Sequence, residues 1–334
     1  MKKYLLLLLS ICSVSVLFAQ ENQETPSPWP CTGVVGLNAS ATGLVNWAAG
    51  GNNNINGVAF GKVRLLYNED NLSWETNLNL EYGLSYIDQK GDALQKSSDV
   101  IDLRTKFGWQ FHKAWYLTAA AGFKSQFAFG HAYDGTETAD PIISKFLSPS
   151  YTDVSVGIDW KPNSIFSLYL SPVAGQITTA YVGDAVEAAN PGLRQQMQDK
   201  YGTWSYIPGT NEKDYSKSYK AELGLSFKGS INYTYKDLKI ITSVGLFTPY
   251  AWDKEEVLDA EGKFAGYRDN NRRFGNFDVD WDAAISYQFL KCLNVTLSTS
   301  LKYYNGVKIA DKEGVLAERV QFKGILGLGV GYSF

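Results

Sequence analysis

The feature that most constrains this chain is an alternation of apolar and polar residues with a period of two. In FDVDWDAAISYQF, residues 277–289, aromatic and aliphatic residues share one parity, and aspartates dominate the other. Successive side chains of a β-strand point to opposite faces, so such a segment has one apolar and one polar face. About a dozen such segments lie between residue 33 and the C-terminus, with no long amphipathic helix between them. The pattern predicts an all-β fold.

The connections between these segments alternate in length. The predicted strands cover residues 33–43, 55–68, 72–86, 101–111, 115–129, 151–161, 165–177, 217–235, 237–250, 277–289, 294–308 and 318–334. Short turns alternate with long connections, and each strand is about long enough to cross a bilayer when tilted. Outer-membrane barrels combine short periplasmic turns with long extracellular loops. We therefore predict a transmembrane antiparallel β-barrel of about 12 strands, with its apolar faces toward lipid and its polar faces toward the lumen.

The N-terminus has the composition of an export signal. MKKYLLLLLSICSVSVLFAQ places two lysines before an apolar run and Ala19 at a plausible cleavage point. We expect a signal peptide at 1–19, a periplasmic segment at 20–32 and the barrel at 33–334, in the outer membrane of a Gram-negative bacterium. Acidic residues outnumber basic ones, so nothing indicates nucleic-acid binding.

Two stretches resemble known outer-membrane proteins. The last strand, RVQFKGILGLGVGYSF, ends on Phe334 and resembles the C-terminal signature of outer-membrane barrels. That resemblance implies recognition by the barrel-assembly machinery. The stretch NWAAGGNNNINGVAFGKVRLLYN, with Trp47, Gly50 and Gly51 ahead of a polar run, resembles the domain of unknown function 3078 family. This second resemblance implies an outer-membrane barrel and no particular activity.

Residues for catalysis are sparse. The chain contains two histidines, His112 in a predicted short turn and His131 near the outer rim. The residues after His131 do not resemble a serine-hydrolase motif, and a nucleophile needs its base within hydrogen-bond reach. Phosphate-binding loops, zinc-ligand spacings and dinucleotide fingerprints are absent from the sequence. We expect no catalytic residues, no metal and no cofactor.

Charged residues accumulate on the predicted lumen face. Asp278, Asp280 and Asp282 share one face of a strand, and counting back through the following turn puts Lys302 roughly opposite Asp282. One interpretation is a cation site, since hard cations bind carboxylate oxygens. Alternate residues on a strand lie about 6.6 to 7 Å apart, so three carboxylates need help from neighbours to converge on one ion. The other interpretation is cross-strand ion pairing within a narrow lumen.

The longest connection, 178–216, contains a helical pattern. In NPGLRQQMQDKYG, Asn190 is a candidate N-cap, a proline follows at the first helical position, and Gly202 follows the end. Leu193, Met197 and Tyr201 form one apolar stripe. A helix with such a stripe must cover something apolar. It either forms a lid over the mouth of the barrel or packs on neighbouring loops.

Two cysteines remain after signal cleavage. Cys31 precedes the first predicted strand, and Cys292 lies in a predicted short turn, so both are expected on the periplasmic side. The periplasm is oxidising, and a disulfide forms if the two Cα atoms come within about 7 Å. The sequence is compatible with a disulfide between Cys31 and Cys292 and equally with two free thiols.

Three functions fit these observations. The first is a narrow pore or conduit for a small polar solute, gated by outer loops. The second is a non-conducting barrel that anchors a surface or periplasmic assembly. The third, favoured least, is a lipid-modifying enzyme. Nothing in the sequence indicates an oligomeric state.

Overall fold

A computed structural model describes residues 28–42, 54–87, 94–131, 142–207, 210, 212–251, 254–269, 272–290, 293–305, 308–310 and 316–333. Twelve antiparallel strands form a closed barrel in sequence order. They are β1 (Cys31–Thr42), β2 (Asn54–Glu69), β3 (Leu72–Ile87), β4 (Leu94–His112), β5 (Trp115–Ser125), β6 (Ser150–Trp160), β7 (Phe166–Thr179), β8 (Tyr219–Tyr235), β9 (Leu238–Pro249), β10 (Asp278–Leu290), β11 (Leu293–Tyr303) and β12 (Gln321–Ser333). The predicted fold and strand number are confirmed.

The long outer connections contain secondary structure that the alternation did not predict. Among the described residues of these connections, two helices occupy Asp184–Ala189 and Leu193–Tyr201. Four small hairpins pair Gly130–His131 with Ile142–Ser144, Ser205–Tyr206 with Lys213–Asp214, Lys254–Leu258 with Phe264–Asp269, and Lys308–Ala310 with Leu316–Glu318. Within the described ranges, no helix is long and apolar enough to span a membrane.

The short turns lie together at the other end of the barrel. Three of them contain a non-glycine residue with positive φ, namely Asp70 at 49°, Lys113 at 25° and Lys236 at 52°. Tight hairpin turns require such left-handed backbone angles. The predicted alternation of short and long connections is confirmed.

The exterior of the barrel is apolar. Trp281 and Ile285 of β10 are exposed, as are the outward-facing aliphatic side chains of β6 and β7, namely Val154, Val156, Ile158, Leu168 and Leu170. Near the short turns, the Trp29 ring lies 4.8 Å from that of Tyr67 and 5.4 Å from that of Trp74, centroid to centroid. Aromatic rings at such a rim suit a membrane interface.

Glycines in the first and last strands make room for lumen side chains. A Cβ atom on Gly36 of β1 would lie 2.7 Å from the Phe60 ring and 2.5 Å from the carbonyl oxygen of Val330. A Cβ atom on Gly329 of β12 would lie 2.3 Å from the side-chain oxygen of Asn38. The alternation of glycine with apolar residues in β12 therefore reflects a crowded lumen on one face and an apolar exterior on the other.

Candidate functional site: the outer half of the lumen

Charged side chains line the inner wall of the barrel. Strands about 4.8 Å apart and tilted by about 40° give a twelve-strand barrel a backbone diameter of about 24 Å. Arg104 on β4 and Asp280 on β10 are six strands apart, which is half of the circumference. Each forms an ion pair with a residue of its own or the adjacent strand, Arg104 with Asp102 and Asp280 with Lys302. The charged side chains thus form pairs along the wall.

Asp280 and Lys302 form an ion pair on the inner wall. The Lys302 ammonium contacts Asp280 Oδ1, and the Tyr304 hydroxyl donates to the same oxygen at 2.7 Å. Tyr304 follows the end of β11, and burial, together with the Asp280 carboxylate, raises the pKa of its phenol.

The predicted register between β10 and β11 was wrong. Lys302 pairs with Asp280, and Asp282 pairs with Ser300. Strand pairing continues down to Leu290 opposite Leu293, and a bulge shifts the register between Gln288 and Leu290. An extra residue on one strand displaces every pair beyond it. Counting symmetrically about residue 291 gives Asp280 opposite Lys302, so the predicted pairing placed the centre of the turn one residue too late.

Asp278 belongs to a separate, buried cluster at the outer rim. The Arg272 guanidinium donates to both oxygens of Asp278, at 3.0 and 2.8 Å, and also contacts the Glu222 carboxylate. Arg272 also donates at 2.8 Å to the carbonyl oxygen of Asn305, whose backbone N–H donates at 2.9 Å to Asp278. Burial opposes the charge on Arg272, but the hydrogen bonds to Asp278 and Glu222 outweigh it and raise the pKa of Arg272.

The three aspartates therefore have three different surroundings. Asp278 binds Arg272 and Asp280 binds Lys302. Asp282 has no ion-pair partner among the described residues. This arrangement favours the cross-strand interpretation over convergence on one cation. Arg272 could not be predicted from the sequence, because an arginine at the end of a long loop belongs to no periodic pattern.

Lys124 also lacks an ion-pair partner in the described part of the chain. Its cross-strand neighbour is Asp102, but Asp102 accepts a hydrogen bond from Arg104 Nε at 2.9 Å. Asp282, on β10, likewise has no ion-pair partner among the described residues. An unpaired ammonium and an unpaired carboxylate thus share the outer half of the bore.

The helix Leu193–Tyr201, called the loop helix below, carries the predicted apolar stripe. Leu193 and Met197 are buried against Ala180 and Val182, which follow β7. Tyr201 is partly buried against the same group. Gly202, with φ of 64°, follows the last residue of the helix, which is the left-handed end that a glycine favours. The stripe and the C-terminus of the helix are confirmed.

The predicted start of the loop helix was wrong. Asn190 follows the preceding helix, and its side chain donates at 3.1 Å to the carbonyl oxygen of Val186. The Glu187 carboxylate instead accepts hydrogen bonds from the backbone N–H groups of Gly192, at 2.8 Å, and Arg194, at 2.7 Å. A carboxylate from the preceding helix therefore replaces the expected N-cap, and it also suits the positive end of the helix dipole.

The loop helix packs on neighbouring loops. Lys200 Nζ donates at 3.3 Å to the carbonyl oxygen of Ile143, and Gln198 donates at 3.0 Å to that of Tyr215. Burial raises the pKa of Tyr201 to about 12. The interpretation that the helix packs on loops is therefore confirmed, and a lid over the mouth of the barrel remains a prediction.

Cys31 lies inside β1, opposite Leu65, and is exposed. The sequence predicted that Cys31 precedes the first strand, and this was wrong because the strand begins at Cys31. Cys292 lies outside the described residues. Its neighbour Leu293 pairs with Val330, which pairs with Leu37, six residues or about 20 Å along β1 from Cys31. That offset does not favour the disulfide, which remains a prediction.

The two histidines lie at opposite ends of the barrel. His112 ends β4 beside a short turn, and His131 lies in an outer hairpin opposite Ile142. They cannot contribute to one site.

A closed antiparallel barrel with an apolar exterior, a charged interior and long loops at one end defines a class of protein. This chain is an outer-membrane β-barrel protein of twelve strands. A family model described as "Protein of unknown function (DUF3078)" matches residues 39–131, which include most of the first five strands. No curated protein matches the chain by sequence.

Several solved structures are similar over most of the chain. The COG4313 outer membrane channel from Pseudomonas putida F1 is 11% identical, with 94% of this chain and 98% of that chain covered and a TM-score of 0.40. The translocator domain of autotransporter NalP from Neisseria meningitidis is 10% identical, with coverages of 93% and 90% and a TM-score of 0.34. Outer membrane phospholipase A from Escherichia coli is 11% identical, with coverages of 95% and 96% and a TM-score of 0.32. These values are too low to transfer an activity to this chain.

Proposed function

We propose that this barrel is a narrow conduit for small polar solutes whose outer mouth is gated by the loop helix. The observation that carries the proposal is that charged groups inside the barrel keep accessible surface. The side chains of Arg104, Asp280 and Lys228 are 51%, 41% and 38% exposed, although they point into the lumen. Water therefore fits beside them, and charged walls favour polar solutes over apolar ones.

The gating part of the proposal rests on how the loop helix is held. Its apolar contacts are confined to the small group around Leu193 and Met197, and its polar contacts are hydrogen bonds to loop carbonyls and the partly exposed ion pairs Arg194–Asp184 and Asp199–Lys213. Elements with few buried contacts open locally at low free-energy cost. Movement of the helix would widen the mouth.

A non-conducting anchoring barrel is the second candidate, and one observation favours it. Ion pairs run along the inner wall, for example Lys228 Nζ to Asp153 Oδ2 at 3.1 Å, between β8 and β6 across the one intervening strand. A lumen filled by paired side chains admits water but blocks solutes. The two candidates differ in conductance. We do not propose an enzyme, because the two histidines lie at opposite ends.

Planar-bilayer recording of the purified protein tests the conduit. Met197→Asp places a carboxylate in the buried apolar group, at a cost of several kcal/mol, roughly that of burying an unpaired polar group. We expect Met197→Asp to raise the open probability at least about tenfold, since 1.4 kcal/mol is a factor of ten in an equilibrium.

Gln196→Asp is the matched control, because Gln196 is exposed on the same helix. It introduces the same charge without disturbing the apolar group, so its open probability should equal that of the unaltered protein. A closed trace in both polarities from the unaltered protein, from Met197→Asp and from a deletion of residues 186–203 would reject the conduit in favour of the anchoring barrel.

A further inference from the structure

Two lysines share one carboxylate near the short-turn end of the lumen. Lys106, on β4, places its ammonium 2.5 Å from Asp159 Oδ2, and Lys161, directly after β6, places its ammonium 3.3 Å from the same oxygen. The Ser167 hydroxyl, on β7, donates at 2.7 Å to the other oxygen of Asp159. The carboxylate is thus held from β4, from β7 and from the turn after β6, and the two ammonium groups are neighbours.

The exposure of these side chains decides which charge faces the bore. The Asp159 side chain is 0% exposed, whereas those of Lys106 and Lys161 are 29% and 27% exposed. The carboxylate therefore lies against the wall, and the ammonium groups cover it on the side of the water. Aromatic rings support both lysines, since Lys106 Nζ lies 4.9 Å from the centroid of the Tyr169 ring and Lys161 Nζ lies 5.0 Å from that of Tyr116. A solute in the bore meets positive charge here.

The charges at this place do not cancel. Along most of the wall one cation pairs with one carboxylate, as Lys228 does with Asp153. Here two ammonium groups share one negative charge. A further carboxylate, that of Glu75, stands opposite Lys106 in the sheet, but Arg64 Nε binds it at 2.8 Å. One positive charge therefore remains without a carboxylate among the described residues.

Other lysines of the lumen wall present single charges. Those without an ion-pair partner in the described part of the chain are Lys62, Lys124, Lys239 and Lys323, which lie opposite lumen-facing residues of the adjacent strands. A single exposed charge in water contributes little to binding. Lys106 and Lys161 differ because Asp159 brings two ammonium groups together, and a carboxylate or phosphate group has oxygens for both.

The spacing suits one anionic group between the two lysines. Charge-assisted hydrogen bonds are about 2.8 Å long, so a carboxylate or phosphate group that binds one ammonium with each of two oxygens spans nitrogens about 4 to 7 Å apart. Two nitrogens that lie 2.5 and 3.3 Å from one shared oxygen cannot be farther apart than this range. An ammonium has three N–H donors, so contact with Asp159 leaves donors for a solute.

We propose that Lys106 and Lys161 bind the carboxylate or phosphate group of a small organic anion at the short-turn end of the lumen. Asp159 positions the two ammonium groups and does not touch the solute. A cation is repelled by both lysines, and a neutral solute gains no ion pair. The passage of such anions through the barrel rests on the proposed conduit, whereas their binding does not.

Equilibrium dialysis with the full-length protein in a non-ionic detergent at low salt tests the site. The probes are radiolabelled inorganic phosphate and propionate, with choline and glycerol as the cationic and neutral comparisons. We expect at least one anion to bind and choline and glycerol not to bind. Lys106→Met and Lys161→Met should each weaken anion binding by about tenfold, the range of a charge-assisted hydrogen bond. Which anion binds distinguishes a carboxylate site from a phosphate site.

Control variants separate the effect of charge from that of folding. Lys239→Met removes a lumen-facing lysine on β9, at the same end of the barrel, and should leave anion binding unchanged. Lys161→Arg keeps the positive charge and should retain most of the binding. Heat-modifiable migration on SDS gels verifies that each variant is a folded barrel.

The outcomes separate this inference from the proposed conduit. If neither anion binds, or if both anions bind to Lys106→Met and Lys161→Met as well as to the unaltered protein, the inference is overturned even when potassium chloride conductance is normal. If binding follows the expected pattern but all bilayer traces stay closed, the site stands and the conduit fails.

Discussion

At the residue scale, the most connected group is Arg272. Its guanidinium joins Glu222 on β8, Asp278 on β10 and the carbonyl oxygen of Asn305 after β11. One side chain from a long loop thus holds three strands together at the outer rim. The planar fork of arginine suits this arrangement, since lysine could not bind a carboxylate through two parallel hydrogen bonds.

We expect Arg272→Met to destabilise the folded barrel by about 3 to 5 kcal/mol, because it leaves the buried Asp278 carboxylate without its ion-pair partner. The measurement is the urea dependence of unfolding, followed by tryptophan fluorescence in detergent. Lys263→Met is the control, since Lys263 lies in an exposed turn of a loop hairpin. Equal stability of the two variants would contradict a structural role for the Arg272 cluster.

The sequence predicted the positions of individual side chains but only some of their partners. Parity placed Asp280 and Lys302 on the lumen face correctly, because the alternation of side chains is a local property of a strand. Which residues pair across strands depends on the turn and on the bulge near Gln288, which leave no periodic trace. For the same reason the Arg272 cluster could not be found.

At the element scale, the loop helix illustrates the same division. The spacing of Leu193, Met197 and Tyr201 predicted the buried stripe, and Gly202 predicted the end. The start depended on Glu187 from the preceding helix, which is a tertiary contact. The small hairpins in the long loops were also missed, because strands of two to six residues are too short to establish an alternation.

The loop helix should respond to alkaline pH through Tyr201. Burial raises the pKa of Tyr201 from 10.0 to about 12, so the packed helix favours the neutral phenol. The contribution of the neutral Tyr201 phenol to the stability of the packed helix is fully present below pH 10, where the phenol is neutral in both the packed and the released helix. It is lost as pH rises from about 10 to 12, because the released phenol ionises first.

A nitroxide label at Gln196→Cys, with the native cysteines replaced, reports the mobility of the helix. We expect the label to become more mobile between pH 10 and 12, and Tyr201→Phe to remove this transition. The same transition in the Tyr201→Phe protein would assign it to another group and contradict the role of Tyr201.

At the scale of the whole molecule, two patterns determined the fold. The alternation of apolar and polar residues predicted the strands and their two faces. The alternation of short and long connections predicted the antiparallel strand order and the two ends of the barrel. Both are set by the bilayer, which requires every strand to have an apolar exterior and every backbone group to be paired in a closed sheet. A constraint that acts on every strand produces a repeated pattern, so its structural consequence can be predicted from the sequence. A constraint that acts at a single contact produces no such pattern.

The assignment of faces yields a prediction about insertion. Ile285 lies near the middle of β10 and is exposed on the apolar exterior, whereas Gln288 is of the opposite parity and faces the lumen. Arginine on the lipid face of a barrel costs roughly 2 to 4 kcal/mol at the bilayer midplane. We expect Ile285→Arg to lower the folded fraction in lipid vesicles, and Gln288→Arg to fold like the unaltered protein.

Folding into vesicles from urea, followed by heat-modifiable migration on SDS gels, measures both variants under one set of conditions. The pair is matched, because each adds the same residue to the same strand three positions apart. Repeating the experiment in detergent micelles, which adapt more easily to a polar side chain, should reduce the difference between the variants. Equal folded fractions in vesicles would mean that the two faces of β10 are reversed, and a lower fraction for Gln288→Arg alone would mean the same.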